Sequence, residues 1–90
     1  MSKAIVDPNE LRRFAADLKK FNADILAQAS RLSASMGSLQ QSWRDQEQAK
    51  FAEEFEQVIR SLQRFVQASE VFVPFLIRKA ERIEDYLNQR

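Results

Sequence analysis

The residues that could perform chemistry in this 90-residue chain are carboxylates and cations, because it contains no histidine and no cysteine. Adjacent acid pairs occur at Glu53-Glu54 and Glu84-Asp85. Neighbouring side chains splay around a helix, so such pairs do not converge on one reacting atom. The single glycine cannot build a phosphate-binding loop. The sequence therefore predicts a protein that is not an enzyme and has no catalytic residue, metal or other cofactor.

The cationic residues also lack the pattern of a nucleic-acid or membrane protein. Basic pairs such as Lys19-Lys20 and Arg78-Lys79 are interleaved with acids, and the net charge is only +1. This balance favours solvated helix faces and predicts no nucleic-acid partner. The uncharged apolar run 71–77 is far shorter than the roughly 20 residues that span a bilayer, so no stable membrane insertion is expected. Asp7-Pro8 also interrupts the apolar start, so no cleavable signal peptide is predicted.

Two long helices account for nearly the whole sequence. Asp7 is a typical N-cap and Pro8 suits the first helical position, and apolar residues then recur every three or four positions from Leu11 to Trp43. A second cap at Asp45 precedes a stripe that runs from Phe51 to Leu87. The fold class predicted is all-α: an antiparallel two-helix hairpin with helices near 8–41 and 46–88. It forms a single domain, 1–90, with its hinge at 42–45.

Two residues depart from good helix sequence. Gly37 costs about 1 kcal/mol against alanine inside a helix, and either close approach of a neighbouring helix or fraying before the hinge accounts for it. Pro74 lacks the amide that would bond to the Glu70 carbonyl, which predicts a kink near 70–74.

The apolar stripes predict both a hairpin core and a second, outward surface. Each helix carries more apolar residues than one facing helix can cover, and a monomer would leave the excess wet. Two hairpins packed into a four-helix bundle would cover it, whether as a homodimer or as a heterodimer with a similar hairpin. The expected hairpin core is Leu18, Phe21, Ile25, Leu32, Met36, Leu39, Phe51, Phe55, Val58, Leu62, Phe65 and Phe72. The candidate dimer interface is Leu26, Ile59, Val66, Val73, Phe75 and Ile77.

The hinge carries a family resemblance. A helix ending at Trp43, a short turn, and phenylalanines 8 and 12 residues further on (Phe51 and Phe55) resemble the WXG (Trp-Xaa-Gly) family of small type VII secretion substrates. The resemblance runs from about Leu11 to Leu87. It implies a bacterial helical hairpin that dimerises, leaves the cell folded through an ATPase-driven machine, and acts as a carrier, effector or adaptor.

Two positions differ from the family pattern. Asp45 stands in the glycine slot, where it can cap the second helix, and Tyr86 is followed four residues later by Arg90 instead of the acid of the family's export signal. This chain is then the partner without the signal, a truncated chain, or a member that is not exported this way.

The resemblance implies partners and a location as well as a fold. Trp43, Arg44 and Asp45 would form a recognition patch for a secretion ATPase or a toxin with a similar hairpin. Packing of the indole at the hinge is the simpler explanation. The expected location is outside the cell, reached without a cleavable signal peptide, or the cytoplasm. The alternative function is an intracellular helical scaffold or chaperone-like protein that is not secreted.

Overall fold

The computed structural model describes residues 6–89, which form three helices and no strand. Helix α1 spans Pro8–Leu39, α2 spans Gln46–Glu70 and α3 spans Phe72–Leu87. The all-α class is confirmed. Residues 1–5 and 90 lie outside the described residues, and so do the ends of the expected domain 1–90 and Arg90 of the tail pattern.

Both expected helix starts are capped by aspartate. The Asp7 carboxylate accepts a hydrogen bond from the Asn9 amide at 2.9 Å, and the Asp45 carboxylate accepts one from the Gln48 amide at 3.0 Å. Each bond satisfies an amide that has no partner within its own helix. The first helix ends at Leu39 instead of residue 41, because the Trp43 amide turns back to the Leu39 carbonyl at 3.0 Å.

The second expected helix is broken at Val71, which separates α2 from α3. Val71 keeps helical angles, with φ −68° and ψ −29°. The interruption is therefore a local loss of helix hydrogen bonding and not a reversal of the chain. Pro74 supplies the physical reason, since it has no amide hydrogen to bond to the Glu70 carbonyl. The kink expected near 70–74 is confirmed.

The chain divides into two compact units, each built from two stretches of helix. The end unit comprises residues 1–22 and 68–90, and the turn unit comprises residues 23–67. In the end unit the start of α1 is joined to α3 by an ion pair between Arg12 and Glu84. In the turn unit the rest of α1 returns into α2 through residues 40–45, which makes this unit a helical hairpin.

The most deeply buried side chains are small. Four hydrophobic residues and two polar ones are at most 8% exposed, and no large side chain among the described residues is fully buried. The six are Ala15, Asn22, Ala29, Val66, Ser69 and Ala80. Small side chains at the line of closest approach allow two helix backbones to pack tightly, while larger ones lie beside that line.

This packing corrects the expected hairpin core. Five of its twelve members are partly buried, namely Leu18, Ile25, Met36, Phe55 and Leu62. The other seven are between 43% and 56% exposed, namely Phe21, Leu32, Leu39, Phe51, Val58, Phe65 and Phe72. Residues one position away take their places at the helix contact: Ala15 and Asn22 are buried beside exposed Phe14 and Phe21. One residue is a rotation of about 100° on a helix, so the expected face was displaced by that amount.

The expected dimer interface needs one correction. Val66 is only 2% exposed, so it packs within the chain and offers no surface to a partner. Leu26, Phe75 and Ile77 are 37% to 50% exposed, while Ile59 and Val73 are partly buried.

Candidate functional site

The turn between α1 and α2 presents a row of three aromatic rings. The Trp43 and Phe51 ring centroids are 5.7 Å apart at an interplanar angle of 38°, and Phe51 and Phe55 are 6.1 Å apart at 28°. Such separations are typical of favourable aromatic pairs. Trp43 is partly buried, so the indole packs on its neighbours while retaining surface for a partner.

Arg44 and Asp45 lie beside this row and are exposed. Asp45 accepts two bonds from the Gln48 amide, one through its carboxylate at 3.0 Å and one through its carbonyl at 3.2 Å. These bonds hold the main chain that carries Trp43 and Arg44. The three residues expected to form a recognition patch thus occupy one short, anchored segment at the turn.

Each unit also has an outward apolar face. The turn-unit face consists of Leu32, Leu39, Phe51, Val58 and Phe65, all 43% to 56% exposed. The end-unit face consists of Phe14, Phe21, Phe72 and Phe75, all 50% to 57% exposed. Within each helix most of these residues are seven positions apart, which places them on a single stripe. Apolar residues that repeat in this way suit contact with another helix.

Gly37 lines an open groove of about 510 Å³ within the turn unit. Met36, Phe55 and Ile59 provide apolar wall, and Glu53 and Arg60 lie at the polar edge. Nothing lies within 4 Å of the position that a Gly37 side chain would take, so the glycine is not required for close approach within the chain. Its backbone angle is not left-handed either, since no described glycine has positive φ.

The Arg12–Glu84 ion pair is the residue pair that sequence reasoning missed. Two parallel hydrogen bonds of 2.7 Å and 2.6 Å join the guanidinium to the carboxylate across 72 positions of sequence. The hydrogen bonds from Arg12 hold the pKa of Glu84 below its usual value of 4.5, and the same contact raises the pKa of Arg12. Both side chains are more than one third exposed, so solvent weakens the attraction.

No group of three or more His, Asp or Glu residues within positions 6–89 is arranged to hold a metal ion. None of the helices in that range combines the length and apolar character needed to cross a bilayer.

Comparison with known proteins places the Trp43 turn in a shared architecture. A family model described as "Proteins of 100 residues with WXG" matches residues 4–86. No curated protein matches the sequence significantly.

Crystal structures of the secreted protein EsxB from Bacillus anthracis strain Sterne resemble the whole chain. The selenomethionine-labelled form is 30% identical with a TM-score of 0.79, and the match covers 98% of this chain and 100% of that one. A proline-to-alanine variant is 29% identical with a TM-score of 0.80, covering 94% and 96%. A glutamate-to-glutamine variant is 28% identical with a TM-score of 0.75, covering 100% and 99%.

Proposed function

Because the chain belongs to the WXG100 family, we propose that it is a small helical protein secreted by a type VII system. In this proposal it acts without enzymatic activity, as a dimeric substrate, carrier or adaptor. The likeness to EsxB, described as a secreted protein, supports export. The single observation that most supports a dimer is the apolar surface that the chain leaves uncovered.

The amount of exposed surface can be compared with that of a compact protein. The chain exposes 7047 Å² at a mass of 10.5 kDa. A folded monomer of this mass exposes about 5,400 Å², so the excess is about 1,600 Å² per chain. Removing that excess from two chains would bury about 3,200 Å², which lies within the range of obligate dimers.

The outward faces of the two units are the proposed contact surfaces. A second copy, or a hairpin with a similar stripe, would place its own apolar residues against Val58 and Phe65 and against Phe14 and Phe72. Leu26, Ile59, Val73, Phe75 and Ile77 extend these faces. Four helices packed in this way form the bundle in which each apolar stripe is covered.

Trp43, Arg44 and Asp45 form the proposed recognition patch. Tryptophan and arginine are the residues that most often dominate binding energy at protein interfaces. The Asp45 cap holds them on a defined segment, which lowers the entropy lost when a partner binds. A secretion ATPase, or a toxin that carries a similar hairpin, would be the partner.

Sedimentation equilibrium tests the dimer directly. We expect two chains per particle at micromolar concentration for the purified protein. One chain per particle at that concentration would remove the homodimer, and a mixing experiment with the hairpin encoded beside this gene would then test the heterodimer.

Export tests the recognition patch, with a matched aromatic substitution as the control. Trp43→Ala should abolish secretion in a strain with an active type VII system while the protein stays folded and dimeric. Phe14→Ala removes an equally exposed ring far along the sequence from the turn, and it should leave recognition by the secretion machinery intact. If Trp43→Ala reduces melting temperature, dimerisation and export in parallel, the indole only packs the turn. Wild-type protein that stays in the cytosol of that strain would favour the intracellular scaffold instead.

A further inference from the structure

Asn22 is a buried polar residue in the middle of α1. It is 4% exposed, and neither its side-chain nitrogen nor its side-chain oxygen has a hydrogen-bond partner within residues 6–89. Ala15 and Ala29 stand seven positions before and after it and are also buried, so Asn22 interrupts an otherwise apolar row. Buried amides without partners are rare and destabilising, and they are commonly satisfied by an internal water molecule.

The Arg12–Glu84 ion pair shows which part of α3 lies opposite Asn22. Asn22 is ten residues after Arg12, and Pro74 is ten residues before Glu84. Both stretches are helical and rise about 1.5 Å per residue, so both positions lie about 15 Å from the ion pair. Ala15 and Ala80 are buried between these levels, three residues after Arg12 and four before Glu84. Asn22 and Pro74 therefore face each other within the end unit.

Pro74 creates a free hydrogen-bond acceptor at this level. A helix carbonyl normally accepts from the amide four residues later, and for Glu70 that residue is Pro74, which has no amide hydrogen. The helix is interrupted at the adjacent Val71. Ser69, only 2% exposed, adds a buried hydroxyl in the same unit. An amide that needs partners thus stands opposite a carbonyl that has lost its usual donor.

We propose that Asn22 and the Glu70 carbonyl form a binding site for one buried water molecule. The water accepts a hydrogen bond from Asn22 Nδ2 and donates one to the Glu70 oxygen. The site ties α1 to the α2–α3 junction at the point where the helix breaks. It satisfies an acceptor that would otherwise be left without a partner by Pro74.

This water site would also fix the register of α1. The other buried members of the row are alanines, which have little shape to resist sliding of one helix along another. A slip of seven residues would return an alanine to each alanine position but would place Asn22 opposite residue 67 or 81, where no proline frees a carbonyl. A single buried asparagine is known to select one register among otherwise similar helix pairings. Asn22 is thus a positioning residue for the end unit.

A double-mutant cycle on the full chain tests the bridge. Asn22→Leu removes the amide, Pro74→Ala restores an amide donor for the Glu70 carbonyl, and the third variant carries both changes. We expect Asn22→Leu to accelerate amide hydrogen exchange over residues 71–77 by roughly five-fold when Pro74 is present, the effect of losing one hydrogen bond. In the Pro74→Ala background the acceleration should be absent. Equal effects in the two backgrounds, within two-fold by about the same criterion, would overturn the bridge.

Two further measurements keep the test decisive. Gln28→Leu places the same side chain at an exposed position of α1 and should leave exchange over 71–77 unchanged. A high-resolution crystal structure of the wild-type protein should show a water about 2.7–3.2 Å from both Asn22 Nδ2 and the Glu70 oxygen. Direct bonding of Asn22 to a protein group, or the lack of ordered density at this position, would refute the site even if the variants fail to fold.

Discussion

Val58→Ser is the most direct test of the outward face on the turn unit. Val58 is 56% exposed in the single chain, so the chain itself buries less than half of this side chain. Fully burying a valine stabilises by about 1.5 to 2 kcal/mol, and covering the exposed half in a dimer would contribute about 1 kcal/mol. A symmetric dimer contains the residue twice, so the substitution should weaken association by about 2 kcal/mol, or roughly thirty-fold in Kd.

Sedimentation equilibrium across a range of concentrations provides the measurement for this variant. Gln57→Ser, at the neighbouring exposed position, changes the same helix without altering the apolar row and should leave Kd within two-fold, about the error expected for an independent site. Helicity of Val58→Ser at high concentration should match that of the wild type, since an exposed serine disturbs α2 by only about 0.5 kcal/mol. An unchanged Kd for Val58→Ser would show that this face is not the interface. Equal weakening by both substitutions would indicate a general effect on the helix.

Three other perturbations test local features. Asp45→Ala should destabilise the protein by about 1 kcal/mol through loss of the Gln48 cap, whereas Asp45→Gly should cost only a few tenths; equal losses in chemical denaturation would contradict the capping role. Gly37→Ala should raise stability by about 0.5–1 kcal/mol, since the new methyl group meets open space, and a drop in melting temperature would show that the groove is occupied. Glu84→Gln should lower the melting temperature at neutral pH but not in acid. The pKa of Glu84 is held below its usual 4.5, so the stabilisation is full above that value and disappears as pH falls through the folded pKa; a difference that persists at pH 2 would refute the ion-pair explanation.

Local features of the fold were predictable because their causes lie within a few residues. Asp7 and Asp45 are typical caps next to apolar periodic stretches, and both accept the expected amide bonds. Pro74 removes a specific helix hydrogen bond, so the position of the break followed from chemistry alone. The end of α1 was placed two residues too late, since an apolar stripe continues to Trp43 beyond the last helical residue.

Features that depend on distant contacts were not predictable in the same way. Phe14 and Ala15 are adjacent, and hydrophobicity alone favours placing the larger ring inside, whereas close packing of two helices favours the alanine. The Arg12–Glu84 pair spans 72 positions, and many Arg–Glu pairings are possible before the register is known. The Trp43 turn was found from spacing, but whether its exposed residues bind a partner depends on molecules outside the chain.

The small side chains along the line of closest approach have a consequence for the life of the protein in the cell. Ala15, Ala29 and Ala80 contribute little apolar area, so much of the hydrophobic stabilisation in the proposed dimer arises between molecules. Folding then obeys mass action, and the fraction of native chain rises with its own concentration or that of a partner. A newly made chain without a partner would expose its aromatic faces and be degraded first. Its supply is thereby matched to the number of complexes that can form.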